Sequence, residues 1–372
     1  MKLKLNILLI AALGLFLVGC SEEEIVKSLP SEERAVEIQL SLGKAASMRA
    51  AIESDDNSNF IIDGVDGNYL SVFCLAYGKR NPNVSSIDWT SSAINVPMYN
   101  IAATVKKEYS GKMITDSENN RIAEVVSNIL WAGSYYYPLG GWFKYRFYSY
   151  YPRVDENRVT ITENTLSADL TLTGYDDVVY GSTRSGESGE AFCAAYFYEH
   201  SGEIPSLVLN HALARVRFKA YAGESYTGNT TASQIRVTGI TVYQVPTDYR
   251  LTIADLETPS NEGRLTRIGA GVTDVELCDG LSTSGLGANY YVRTEHTRSN
   301  PLVIGNEVLV PTDETAYYIK VKLQNGRGED CSPQGYWRIA PDGGFHPGHT
   351  YWVEMKISNN PGEATGEVTI NQ

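Results

Sequence analysis

The sequence is short of the residues that carry covalent and metal chemistry. Only 5 cysteines and 5 histidines occur among 372 residues. No Gly-x-Ser-x-Gly, His-Glu-x-x-His, P-loop or Gly-x-Gly-x-x-Gly string is present, so no catalytic residue, metal site or cofactor is assigned and an enzyme is not expected. Positive charge is also in deficit. Against 44 Asp and Glu stand 31 Lys and Arg, a net charge of -13. A surface of that sign repels phosphate backbones and argues against nucleic acid as a partner. No bilayer-spanning run stands out either. The apolar stretch Leu5–Val18 is about 14 residues long, short of the ~20 that a membrane helix needs. Long amphipathic helical periodicity is missing as well.

What is abundant is tyrosine (25 residues) and glycine (33). These, with many Val, Ile and Thr, favour strands and turns. Nearly every patterned segment alternates with period two, as a half-buried strand does. Val36, Ile38, Leu40 and Leu42 form one such stripe. Others are Phe143/Tyr145/Phe147, Leu166/Ala168/Leu170/Leu172, Ala212 to Ala220, Tyr317/Ile319/Val321/Leu323 and Tyr351/Val353/Met355/Ile357. In the Ala212 stripe, Arg215, Arg217 and Lys219 face the other way. Tyr69 to Tyr77 is apolar on both faces, as in a fully buried strand. Turn signals such as Gly140-Gly141, Asn325-Gly326 and Pro347-Gly348 separate the runs. Glu118–Leu130 fits either a short helix or a strand, and Gly263–Ser299 reads as long loops. The expectation is an all-β chain of β-sandwich type. Its length suits about two domains at roughly 150 residues each, with a boundary near Ser201–Pro205.

The N-terminus sets a compartment. Lys2 and Lys4 precede the apolar stretch, which ends Leu17-Val18-Gly19-Cys20. This reads as a secretory signal and resembles a bacterial lipobox, in which the Cys20 thiol takes a diacylglycerol and becomes the new terminus. Ser21-Glu22-Glu23-Glu24 follows and resembles a surface-export signal of lipoproteins. An exported chain meets oxidising conditions. Pairing Cys74 with Cys193 and Cys278 with Cys331 is one option, but four cysteines allow three connectivities, and Cys74 also suits a small buried core residue.

Several segments together resemble the fimbrillin family, lipoprotein pilins of anaerobic Gram-negative bacteria that build type V pili. They are the lipobox at Cys20, Met48-Arg49-Ala50-Ala51-Ile52 and the aromatic run Tyr145 to Pro152. After these come Asp177-Val178-Val179-Tyr180-Gly181, Leu209 to Phe218, and Phe345-His346-Pro347-Gly348-His349-Thr350-Tyr351. The resemblance implies two tandem transthyretin-like β-sandwich domains. The segments are then a signal peptide over 1–20, a tether with a removable first strand over 21–49, an N-terminal domain over 50–203 and a C-terminal domain over 204–372. It implies outer-membrane anchoring through the lipid, surface exposure, and cutting by an Arg-specific protease between Arg49 and Ala50. Removal of Val36, Ile38, Leu40 and Leu42 then opens a groove for a strand donated by another fimbrial subunit, which builds an adhesive fimbrium. In this chain the candidate donor stripe is Ala364, Gly366, Val368 and Ile370, less apolar than the one it would replace. A final edge strand packed within its own chain is the competing reading.

Other constellations point to blander roles. His346 and His349 flank Pro347-Gly348 and suit a turn better than a metal pair. His211 suits a hydrogen-bonded core position, and Asp63–Asn68 a double turn better than a Ca²⁺ loop. The aromatics Tyr135, Tyr136, Tyr137, Trp142, Tyr145, Tyr148, Tyr150 and Tyr151 fill sandwich cores readily. They also support a rival reading, an uncleaved surface lipoprotein that holds a host or bacterial glycan through aromatic loops.

Overall fold

The computed structural model describes residues 35–42, 69–139 (apart from 81–82, 84–85 and 116–120), 142–183 and 192–199. It also describes 204–279 (apart from 225 and 227–233), 285–358 (apart from 288–289) and 368–371. Among these, no helix is long and apolar enough to cross a membrane. The first half contributes β1 (Leu40–Leu42), β2 (Leu70–Lys79), β3 (Met98–Thr115), β4 (Arg121–Trp131) and β5 (Phe143–Tyr151). It continues with β6 (Val159–Ile161), β7 (Thr165–Thr171), β8 (Val179–Thr183), a short helix α1 (Ala194–Glu199) and β9 (Ser206–His211). The second half holds β10 (Ala214–Ala222), β11 (Ile235–Pro246), β12 (Asp248–Asp255), β13 (Leu265–Arg267), β14 (Val272–Glu276) and β15 (Tyr291–Val292). The last strands are β16 (Leu302–Val310), β17 (Tyr317–Asn325), β18 (Trp337–Ile339), β19 (Thr350–Ile357) and β20 (Val368–Asn371). The chain is all-β, as the alternation predicts.

Seven strands close into a barrel in the order β1-β4-β3-β2-β5-β8-β9. Its interior is packed by Val36, Ile38, Leu40, Leu70, Val72, Cys74, Met98, Phe147 and Leu207, among others. A four-stranded sheet, β13-β12-β7-β6, forms a further layer and joins two strands of the first half to two of the second. The core that includes this sheet takes Phe73 and Leu75 from β2, Tyr148 and Tyr150 from β5, and Leu166, Ala168 and Leu170 from β7. Strands β2 and β5 thus serve two cores at once, which is why Tyr69 to Tyr77 is apolar on both faces. Their residues alternate between the barrel interior and this second core.

The remaining strands form two sheets, β16-β10-β19-β20 and β14-β11-β17-β18, with β15 paired to β11. Between them lie Val216, Phe218, Ile319, Val321, Leu323, Tyr351, Val353 and Met355. Strands β10 and β19 run parallel, from Arg215 opposite Thr350 to Ala222 opposite Ile357. This is a two-sheet sandwich built from the stripes the sequence shows.

The structure settles one open reading and departs from expectation at Gly263–Ser299. Of the two forms that fit Glu118–Leu130, the described residues from Arg121 on take strand, in β4. Gly263–Ser299 contains three short strands, β13, β14 and β15, which pair with β12 or β11. Strand pairing crosses the expected boundary at 203/204: β9 closes the barrel, and β12 pairs with β7 along Asp248–Asp255. Finally, the strands of the first half close into a barrel through β1.

Candidate functional site

The element with the most unusual placement is the segment 35–42. It alternates exposed and buried residues, with Val36 at 4%, Ile38 at 2% and Leu40 at 2% exposure, while Glu37 and Gln39 face solvent. Leu42, the fourth residue of the stripe, is half-buried against the same core. The segment fills a slot between two walls. On one wall, β1 pairs antiparallel with β4, with Leu40 opposite Ile129 and Leu42 opposite Ser127. The pairing extends past β4: the Ile38 amide donates to the Tyr135 carbonyl at 2.7 Å, and the Tyr137 amide to the Val36 carbonyl at 3.0 Å. On the other wall, β1 runs parallel to β9, with Ser41 opposite Ser206 and Leu42 opposite Leu207. The Ser41 amide donates to the Pro205 carbonyl at 3.0 Å, and the Ser41 and Ser206 hydroxyls lie 2.8 Å apart.

This strand alone joins β4 to β9 in the barrel. Its neighbours in space are remote in sequence, and β2, the next described strand along the chain, lies three positions away around the barrel, beyond β4 and β3. No hairpin therefore ties β1 to its ladder partners. Apart from the chain at its two ends, it is held by backbone hydrogen bonds, the Ser41 hydroxyl and apolar burial.

The slot is chemically neutral. Its lining includes Cys74, Tyr137, Tyr145 and Phe147. Burial pushes the Cys74 thiol well up, and burial reinforced by the neighbouring Cys74 and Cys193 does the same to the Tyr137 and Tyr145 phenols. None of these three groups ionises near neutral pH, so the slot offers shape, apolar surface and backbone partners. A groove of that kind selects an alternating strand.

Val36, Ile38, Leu40 and Leu42 are brought together in the slot. Cys20, Arg49, Ala50, Ala364 and Gly366 lie outside the described residues, as does Asp63–Asn68. Val368 and Ile370 belong to β20, which pairs antiparallel with β19 in its own chain, Val368 opposite Met355 and Ile370 opposite Val353. Cys74, Cys193, Cys278 and Cys331 are free thiols. The His211 Nδ1 bonds the buried Asp177 carboxylate, as a core histidine would. His346 and His349 sit at a turn, where Gly348 takes a φ of 74° and donates its amide to the Leu213 carbonyl. Among the described residues no cluster of three or more His, Cys, Asp or Glu is arranged to hold a metal. Sequence reasoning missed the role of Ser206, Pro205 and the 135–137 segment as slot walls. Alternation marks which residues are buried, and it does not say which distant strand they meet.

No family model matches the chain, and no curated relative matches it. Solved structures similar to it include a "putative cell adhesion protein" of Bacteroides uniformis, at 13% identity and a TM-score of 0.47 over 91% of this chain and 96% of that one. Another "putative cell adhesion protein", from Parabacteroides distasonis, is 12% identical, with a TM-score of 0.43 over 92% and 97% of the two chains. The fimbrial anchor protein Mfa2 of Porphyromonas gingivalis is 9% identical, with a TM-score of 0.34 over 91% and 96%. All three are distant.

Proposed function

We propose that this chain is a subunit of cell-surface adhesive fimbriae that assembles by strand exchange. The observation that carries the reading is the slot: one short amphipathic strand closes a barrel while its ladder partners are all remote in sequence. Arg49, the expected cut site, follows Leu42 by seven residues. A cut there leaves 35–42 attached to its own domain by non-covalent contacts only. Three fully buried aliphatic side chains at about 1.5–3 kcal/mol each hold it with roughly 5–9 kcal/mol. When it leaves, β4 and β9 become open edges beside an apolar groove, and open edges recruit strands. A neighbouring subunit that donates a strand head-to-tail propagates a filament.

In this reading the chain is exported as a lipoprotein through Cys20, sits in the outer membrane at the cell surface, and is released into the fimbrium by an Arg-specific protease. The two halves are then tandem transthyretin-like sandwiches, the first closed into a barrel by the strand it gives up. The C-terminal stripe Ala364, Gly366, Val368 and Ile370 is a poor match to the slot, and β20 is paired with β19. These two features favour a subunit that accepts a strand more readily than it donates one.

The close approach of Ser41 and Ser206 supplies the test. A Ser41→Cys, Ser206→Cys double variant places two thiols at directly opposed positions of the parallel β1–β9 pair. Oxidised, it locks the first strand in place, and cleaved protein should stay monomeric. Reduction should restore denaturant-resistant ladders. Ladders that form equally well with the strand locked would refute exchange.

A further inference from the structure

Beside the slot lies a cleft of about 400 Å³, lined by Ala93, Asn95, Pro138, Leu139, Trp142 and neighbouring Phe143 and Tyr145. That is within the roughly 300–1,000 Å³ common for small-molecule sites. Three features define what it would hold. Trp142 is 54% exposed and Leu139 57% exposed, whereas Phe143 and Tyr145 behind them are buried in the barrel core. Asn95 is exposed at the same cleft and carries a carboxamide that both donates and accepts. Among the described residues no lining side chain bears a formal charge, although the chain carries a net charge of -13. A purely apolar ligand would make no use of the amide, and an anionic one would find no cation among the described lining residues. A neutral ring with apolar C–H faces and a hydroxyl rim satisfies both the indole and the amide.

The geometry points to a neutral sugar ring as the ligand of this cleft, stacked on Trp142 and hydrogen-bonded by Asn95. Its position adds a consequence. Tyr135 and Tyr137 hold the first strand by backbone bonds to Ile38 and Val36, and Pro138 begins the cleft wall on the next residue. The site therefore stands on the scaffold of the strand slot, yet it is formed while the first strand is still in place. Sugar binding does not depend on assembly.

The experiment uses the full chain on an array of neutral glycans, each matched with a sialylated or sulfated counterpart. Saturable binding to at least one neutral glycan is expected, with the charged counterparts weaker. Trp142→Ala should weaken it at least tenfold with the unfolding midpoint unchanged, since the side chain is mostly exposed. Trp142→Phe should keep part of the binding because an aromatic face remains, and Asn95→Ala should weaken it several-fold. Tyr336→Ala, which removes a 56% exposed aromatic elsewhere on the surface, should change nothing. The proposal is overturned by no neutral-glycan binding, by binding that survives Trp142→Ala, or by binding that Tyr336→Ala removes instead.

Discussion

Truncation of Ile38 tests the physics of the slot directly. Ile38 is 2% exposed, lies among the barrel-core side chains and donates its amide to Tyr135. Ile38→Ala leaves that backbone bond intact and removes apolar volume from a packed interior. Such truncations cost about 2–5 kcal/mol. The three buried side chains of the strand together supply roughly 5–9 kcal/mol, so this one change removes a third or more of what holds it. In the intact chain the loss appears as a lower denaturant midpoint. After cleavage at Arg49 the strand is no longer covalently joined to its domain, and the same loss becomes weaker retention. At about 1.4 kcal/mol per factor of ten, retention falls roughly 30-fold to several-thousand-fold. The assay is Arg-specific cleavage followed by gel filtration and mass measurement of the liberated segment, with Glu37→Ala as the control. Glu37 is exposed, and its truncation should stay within about 0.5 kcal/mol. If Ile38→Ala behaves like Glu37→Ala in both assays, the strand is not held by its apolar stripe and the reasoning fails.

Further outcomes follow from other parts of the fold. Gly181 faces β9 so closely that an added Cβ would lie 1.9 Å from the Val208 carbonyl oxygen; Gly181→Ala should force β8 and β9 apart and lower stability by roughly 1–3 kcal/mol in a urea titration. Retention of the cleaved first strand should respond little to salt between low and physiological ionic strength, because the slot lining named above carries no charge; a steep salt dependence would point to ion pairs instead. Burial raises the Glu354 carboxyl, but the hydrogen bond and charge of Lys219, 2.9 Å away, and the charge of Arg298 outweigh it and hold it below the usual range. A depressed pKa stabilises the fold above the unfolded value of about 4.3 and ceases to do so as pH falls through the folded value. Glu354→Gln should therefore cost roughly 1–3 kcal/mol at neutral pH and close to nothing in acid, as read from unfolding midpoints across pH. Thiol labelling of native protein should leave the buried Cys74, Cys193 and Cys278 unreactive, and full labelling should appear only in denaturant.

The sequence made the strands legible and left their company obscure. Val36, Ile38 and Leu40 alternate with Glu37 and Gln39, and the structure buries and exposes them in that order. The partners of this strand, Ile129 opposite Leu40 and Leu207 opposite Leu42, stand far along the chain, and no local pattern encodes such pairing. The same limit explains the crossed boundary: β9 and β12 look like strands of the second half and pair with strands of the first. Arg146 and Arg215 occupy positions that alternation assigns to solvent, yet both are buried. β5 serves cores on both faces, and Arg146 packs its guanidinium 3.4 Å from the centre of the Tyr77 ring. Arg215 lies near Glu307 on β16, the strand paired with its own. The aromatic run was ambiguous for a related reason. Tyr145, Tyr148 and Tyr150 went inside, and among the aromatics singled out from the sequence Tyr136 and Trp142 are the ones left strongly exposed. Period-two alternation could not sort them, since 132–142 leads into β5 without strand pattern of its own. The short helix α1, six residues long, had too few turns to show a period.

The most direct measurement is the N-terminal sequence and intact mass of protein shed from the cell surface, beside an Arg49→Ala variant. The account predicts a terminus at Ala50 and high-mass oligomers in the parent chain, both lost in the variant. A lipidated terminus at Cys20, with the first strand retained and no oligomers, would contradict it.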